Sequence, residues 1–228
     1  MREVRGRKAP EDQGFRAGVE EVSTRKYRPG NINPMRGAGI SVSADRKSGL
    51  ARERLRRRYR PAGVRVLFVG EAPPASGRFF YQADSGLFRA MHDVFASVFP
   101  EIGSRSGNEE FLQRFQALGC YLVDLCGRPV DRLPVARRRR TCREGEVRLA
   151  RILKRLRPEI VITVVRSIAG NVRRSQQRAN WSGTRVELPY PGRWQRHRVA
   201  FGRELASALR KIYRRQQTKL APVQKKIC

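Results

Sequence analysis

The sequence predicts an α/β fold, a three-layer sandwich in which a small four-stranded parallel sheet is flanked on both faces by helices. Three observations carry this. Val64–Val69, broken only by Arg65, and the uninterrupted Ile160–Val165 are runs rich in β-branched and aromatic residues, the composition of buried interior strands. The stretches between strand-like runs place apolar residues at helical spacing. The two patterns alternate as β-α-α-β-α-β-α-β-α, the order that builds a parallel sheet through helical crossovers.

Taken in order, residues 1–44 are rich in Arg, Gly, Ser and Asn without periodicity, and read as a mobile basic arm. Residues 45–59, with Leu50, Leu55 and a dense Arg run, fit a short basic helix whose charge is solvated. The first strand follows and stops at Gly70-Glu-Ala-Pro73. Asp84 is placed to cap a helix with Leu87, Phe88, Met91, Val94, Phe95 and Val98 on one face, ended by Pro100 and Gly103. Asn108 opens a second helix, with Phe111, Leu112, Phe115 and Leu118 inward and Gly119 at its end. Tyr121–Leu125 is the second strand, and a loop through Arg128, Pro129 and Pro134 reaches Arg137–Arg140. Thr141-x-x-Glu144 has the pattern of a capping box ahead of a helix carrying Val147, Leu149, Ile152, Leu153 and Leu156, which Pro158 closes. After the Ile160–Val165 strand come a short helix over Ser167–Arg174 and a fourth strand over Thr184–Leu188. The loop Pro189–His197 leads to a last helix packing Val199, Leu205, Ala208, Leu209 and Ile212. Residues 214–228 form a basic tail, so the folded domain is expected over 45–213.

Charge bounds the partner. Fifty Lys and Arg against 20 Asp and Glu leave a formal net charge of +30 and a pI of about 11.6. A surface this basic favours a polyanion, because each neutralised phosphate releases condensed counterions. Arg outnumbers Lys in most of the charge runs, and its planar fork suits phosphate. Arg-rich codon bias is the competing explanation. Cys120, Cys126, Cys142 and Cys228 form no C-x-x-C pair, and His92 and His197 are the only histidines, so no metal site or other cofactor is expected. No Walker or Gly-x-Gly-x-x-Gly pattern occurs, which disfavours a nucleoside-triphosphate enzyme. With no apolar signal region and no run of 18 apolar residues, the expectation is a cytoplasmic, nucleoid-associated monomer.

In open α/β sheets ligands bind beyond the carboxyl ends of the strands, which puts Glu71, Pro73, Pro74, Phe79 and Phe80 where a site would lie. Four ordered segments between Pro61 and Tyr213 then carry a resemblance. Gly70-Glu-Ala-Pro73 with Gly77-Arg-Phe-Phe80, Tyr121-Leu-Val-Asp-Leu-Cys-Gly-Arg-Pro129, Arg157-Pro-Glu-Ile-Val-Ile-Thr163 and Leu188-Pro-Tyr-Pro-Gly-Arg-Trp194 resemble the motifs of the uracil-DNA glycosylase superfamily, most closely its family-four type. The cysteines that hold an iron–sulfur cluster in family four are missing at their places, so the resemblance is to a cluster-free branch.

That resemblance implies a DNA glycosylase of base excision repair, which flips a deaminated base such as uracil out of single- or double-stranded DNA and hydrolyses its bond to the sugar. It puts Gly70, Glu71, Ala72 and Pro73 at the sugar and water. Ala72 stands where other branches carry a water-orienting Asp or Asn, leaving Glu71 to organise water or to hold the loop through backbone N–H groups. Pro74 replaces a Gly beside the base pocket. Phe80 aligns with the base-stacking aromatic and Phe79 is the nearer alternative, with core packing as the competing reading of both. Asp124 stands in place of an Asn that donates to and accepts from the base edge. Ionised, it accepts only, so it is either protonated, or reads a base with donor groups, or activates water, or merely caps a turn. Tyr190 takes the place of the catalytic His and Gly192 that of a Ser, with Pro191 between them; His197 either reaches the site instead or caps a helix. Trp194 falls where the family carries its intercalating residue. Arg78, Arg128, Arg193 and Arg196 are the expected phosphate contacts.

Overall fold

The computed structural model describes residues 41–102, 107–192 and 194–220, with side chains for all of these except 41–47, 101 and 215–220. The N-terminal arm up to residue 40, Gly103, Arg193 and the tail from residue 221 lie outside the described residues.

Four strands form one parallel sheet in the order β2-β1-β3-β4: β1 is Val66–Gly70, β2 Cys120–Asp124, β3 Ile160–Thr163 and β4 Thr184–Glu187. Every residue of β1, β2 and β3 is buried, which is why these runs lack the alternation of a half-exposed strand. β4 is exposed to half-buried and closes one edge. On the other edge, β2 is covered by Tyr81, whose hydroxyl accepts from Leu122 N at 2.8 Å and donates to Leu122 O at 3.2 Å. One side chain thereby satisfies the edge-facing backbone N–H and C=O of Leu122.

Among the described residues six α-helices flank the sheet: α1 (Ser41–Arg58), α2 (Gly86–Val98), α3 (Asn108–Ala117), α4 (Val135–Leu156), α5 (Ala169–Ala179) and α6 (Gln195–Leu220). α4 packs on α5, and α2 on α6. The expected three-layer α/β architecture is what the chain adopts. The apolar faces read from the sequence are core: Phe88, Met91 and Phe95 of α2 and Phe111, Leu112 and Phe115 of α3 are all buried. Among the described residues no helix is long and apolar enough to cross a membrane.

Several boundaries differ from the sequence reading, each for a local reason. α1 begins at Ser41 and α6 runs to Leu220, so helix extends four residues before and seven beyond the expected 45–213 limits. The cap of α2 is Ser85, whose side chain accepts from Phe88 N at 3.1 Å, while Asp84 turns back to accept from Phe79 N at 2.7 Å. α5 is longer than the short helix expected there. The largest difference is α4. Its N-cap is Pro134, and the four arginines read as loop lie in its first two turns. Thr141 is therefore no cap: its hydroxyl donates to Arg137 O one turn back, and Glu144 pairs with Arg140 along the helix surface. Arginine is a strong helix former, and proline's fixed φ suits a helix entry, so the start moves back to the breaker.

Candidate functional site

A cleft of about 330 Å³ opens at the carboxyl ends of β1, β2 and β3 and below the segment after β4. That lies at the small end of the ~300–1,000 Å³ typical of small-molecule sites. Its lining includes Gly70, Glu71, Ala72, Pro73, Pro74, Phe79, Phe80, Asp124 and Tyr190, so residues from three of the four ordered segments meet in one place. Leu87, Leu122, Val130, Val164 and Val165 add an apolar wall, and Ser85, Asp131 and Arg138 complete the polar groups.

The floor is built where β1 and β2 end side by side, with Gly70 opposite Asp124 in register. A Cβ on Gly70 would stand 2.9 Å from Asp124 Oδ1, so only glycine lets the carboxylate lie there. Asp124 is 6 % exposed, and its Oδ2 accepts from Arg56 Nη2 of α1 at 2.8 Å. Its backbone oxygen accepts from Arg148 of α4. Arg56 is equally buried, reaches Glu53 at 2.6 Å through Nη1, and stands 5.2 Å over the Phe79 ring. Burial pushes the Asp124 carboxyl above the ordinary carboxylate range, while the adjacent Arg56 and Arg148 guanidinium groups oppose that rise. Of the readings open for Asp124, the turn cap is replaced by a buried ion pair.

The lip carries a second pair. Glu71 accepts from Arg138 Nε at 2.6 Å and from Arg138 Nη2, a two-pronged fork–fork contact, and Cys142 Sγ lies 3.6 Å from Glu71 Oε1. The Glu71 side chain therefore holds α4 rather than its own loop. Two features bring α4 this close. Cys126 N donates to Glu71 O at 2.8 Å, extending the ladder past the strand end. Gly145 lets the helix approach Leu125 O to within 2.5 Å of where its Cβ would stand. Arg138, Cys142, Gly145 and Leu149 follow at helical spacing, so the face that packs also carries Arg138 to the cleft.

The aromatic wall has a double role. Phe79 and Phe80 are 2 % and 3 % exposed and line the cleft from within the core. Phe80 packs edge-on to Tyr81 at 5.1 Å and to Phe88 at 5.7 Å. Asp131 fixes the nearby turn by accepting from Ala75 N at 3.2 Å.

Tyr190 is 46 % exposed at the rim, and Gly192 sits half-buried against its ring. Partial burial raises the Tyr190 phenol, which keeps it a hydroxyl donor. Pro191 is buried. Trp194 is 54 % exposed with the Arg196 guanidinium 6.0 Å from its ring, and Arg78 and Arg128 are exposed. His197 does not join the cleft: it lies in the first turn of α6, with its backbone N bonded to Trp194 O at 3.0 Å. Two residues the sequence reading passed over, Arg56 and Arg138, are the partners of both site carboxylates. Neither was legible: Arg138 lies in a run that reads as loop although it begins the α4 packing face, and Arg56 is one arginine in a run of several. No protein-family model matches the chain, and no curated protein matches it.

Proposed function

We propose that the protein is a DNA glycosylase, which takes a flipped, damaged nucleotide into the cleft and hydrolyses the bond between base and sugar. Uracil and other deaminated bases are the substrate class the resemblance implies. The single observation that supports this reading is the convergence of Glu71, Asp124, Phe80 and Tyr190 on one cleft of base-holding size, in a chain of net charge +30. Cutting the bond builds positive character on the sugar and sends its electron pair to the base. The site therefore needs an oriented water near the sugar and donors near the base oxygens. Glu71 orients the water from the end of β1, and Arg138 holds that carboxylate in place. The Arg138 guanidinium and the Tyr190 hydroxyl donate to the departing base, a task for which a fixed cation is stronger than a neutral hydroxyl. Exposed Trp194 fills the gap left in the stack, and the surrounding arginines take phosphate.

A second reading rests on a specific observation: both site carboxylates are already ion-paired, and His197 stands outside the cleft. In that reading the cleft binds damaged or abasic DNA and cleaves slowly or not at all. One assay separates the two. Oligonucleotides carrying uracil, hypoxanthine, xanthine or an oxidised cytosine are incubated with the protein and treated with alkali. Release of free base with alkali-labile strand breaks is the expected result. Tight binding of abasic DNA with no release from any substrate favours the second reading, and absence of both ends the two together.

A further inference from the structure

The helices on the two faces of the sheet carry charge differently. On one face α4 brings nine Arg and Lys and α5 brings three, against Glu144 and Glu146. On the other, α2 and α3 set Arg89 and Arg114 against Asp93, Glu109 and Glu110. Arg-rich codon usage loads all helices alike, so it does not account for this sorting. α6, which packs on α2, is also basic, with eight Arg and Lys against Glu204.

What sets α4 and α5 apart from α6 is convergence. Arg140, Arg143, Val147, Arg151 and Lys154 recur three and four residues apart and are all exposed, so they share the outer face of α4 over about 21 Å. Beside them stand Arg174 and Arg178 of α5, and a buried group holds this pair. The Glu146 carboxylate, 2 % exposed on α4, accepts from Asn171 at 2.8 Å and from Arg174 Nε at 2.9 Å, and lies 3.8 Å from Arg178 Nη2. Both guanidinium groups stay about half in water. One buried carboxylate thus orients two surface cations and leaves the patch with a surplus of positive charge. Arg140 pairs with Glu144, but Arg143, Arg151 and Lys154 have no ion-pair partner among the described residues.

Cations this dense, two of them already ordered, suit a linear polyanion: each neutralised phosphate releases counterions, and little side-chain freedom remains to be lost. Among the described residues α4 and α5 expose no aromatic ring on which a single strand could stack. Their exposed large hydrophobics are Val135 and Val147, too few to enter a membrane. A duplex, read through its backbone alone, is the polyanion that needs neither.

We infer that the outer face of α4 and α5 is a second nucleic-acid surface, separate from the cleft, on which Arg143, Arg151, Lys154, Arg174 and Arg178 hold the phosphate backbone of duplex DNA. The choice of DNA over RNA rests on the function proposed above; the preference for a duplex does not. Arg138, near the start of α4, lines the cleft, so one helix carries both surfaces.

Two triple variants remove the same charge from different places: Arg143→Gln, Arg151→Gln and Lys154→Gln on α4, and Arg203→Gln, Arg210→Gln and Lys211→Gln on α6. All six side chains are exposed, and Glu146 keeps its partners in both variants. Binding of the full chain to an undamaged DNA duplex is measured between about 50 and 200 mM salt. The α4 variant is expected to flatten the slope of log affinity against log salt by about 2 to 3, and to bind about tenfold more weakly at the lower salt. The α6 variant is expected to leave the slope nearly unchanged. If the α4 triple variant fails to fold, Arg151→Gln alone is expected to flatten the slope by about 0.9. An α6 effect as large as the α4 effect overturns the inference, as does an unchanged slope in the α4 variants or a wild type that binds no duplex. A slope that flattens with an RNA duplex and not with DNA overturns the choice of DNA. Failure of the glycosylase reading looks different: no base is released from any lesion, while the slopes still separate the two variants.

Discussion

The floor and the lip of the cleft hold the same kind of pair under different conditions. Asp124 and Arg56 meet with side chains 9 % and 8 % exposed, while Glu71 and Arg138 meet with 14 % and 41 %. At the floor, removing one partner strands a charge that water cannot reach. At the lip, water replaces a lost partner and salt screens the attraction. The floor pair therefore sets shape and charge, and the lip pair is free to exchange its contacts with a bound molecule.

Removing the floor carboxylate is the strongest way to break this contrast. Asp124→Ala is expected to cost about 3–5 kcal/mol of folding stability by chemical denaturation, because Arg56 is left buried without its main counter-charge. A cost below about 1 kcal/mol would show that the floor behaves like a surface pair. Replacing both partners by apolar residues, Arg56→Met with Asp124→Leu, is expected to recover most of that stability and none of the base binding.

A smaller effect tests the close approach beneath the floor. Gly70→Ala puts a methyl group against Asp124 Oδ1 and is expected to cost about 1–3 kcal/mol while disturbing the carboxylate. At the lip, Arg138→Ala is expected to cost about 1 kcal/mol or less, since Arg138 is more than a third exposed. It should nonetheless slow base release, a split between stability and activity that the floor variants do not show.

The pH dependence of the floor has a definite sign. Burial raises the Asp124 carboxyl in the folded chain, so folding takes up a proton on the acid side. The contribution of this group is fully present below the ordinary aspartate value and is lost as pH rises through the raised one. Wild-type stability relative to Asp124→Asn should therefore fall as the pH rises above the ordinary aspartate range. A second window lies in alkali. Burial pushes the Cys120 thiol from 9.0 to about 12, so the unfolded chain releases a proton that the folded one keeps, and stability falls from pH 9.0 upward.

Much of the fold was legible because periodic burial leaves its mark on sequence. Runs such as Leu67–Val69 and Ile160–Thr163 are buried on both faces, and the Phe88, Met91, Phe95 stripe has one face to bury. The start of α4 was hidden because a run of arginines satisfies a loop and a helix equally, and the decisive term was Pro134 some residues before. The cleft walls were legible through the Gly70–Pro73 turn and Asp124. Their partners were not, since Arg56 and Arg138 stand 68 and 67 residues away and are single choices among many arginines. A capping pattern at Thr141 failed for a related reason: local side-chain chemistry cannot show whether its backbone N–H groups are already bonded within a helix.

Under the proposed function, DNA affinity would have two sources, the basic surface and the cleft. The most direct measurement of which one recognises a lesion compares binding of an undamaged duplex and one with an abasic site, at about 50 and 200 mM salt. It is made for the wild type and for Val165→Trp, a half-buried cleft-wall position where a bulky ring fills the cavity. The expected result is that the wild type prefers the damaged duplex at both salts, and that Val165→Trp loses this preference while keeping the same salt slope. A wild type without preference, or a variant that keeps it, would contradict the assignment of recognition to the cleft.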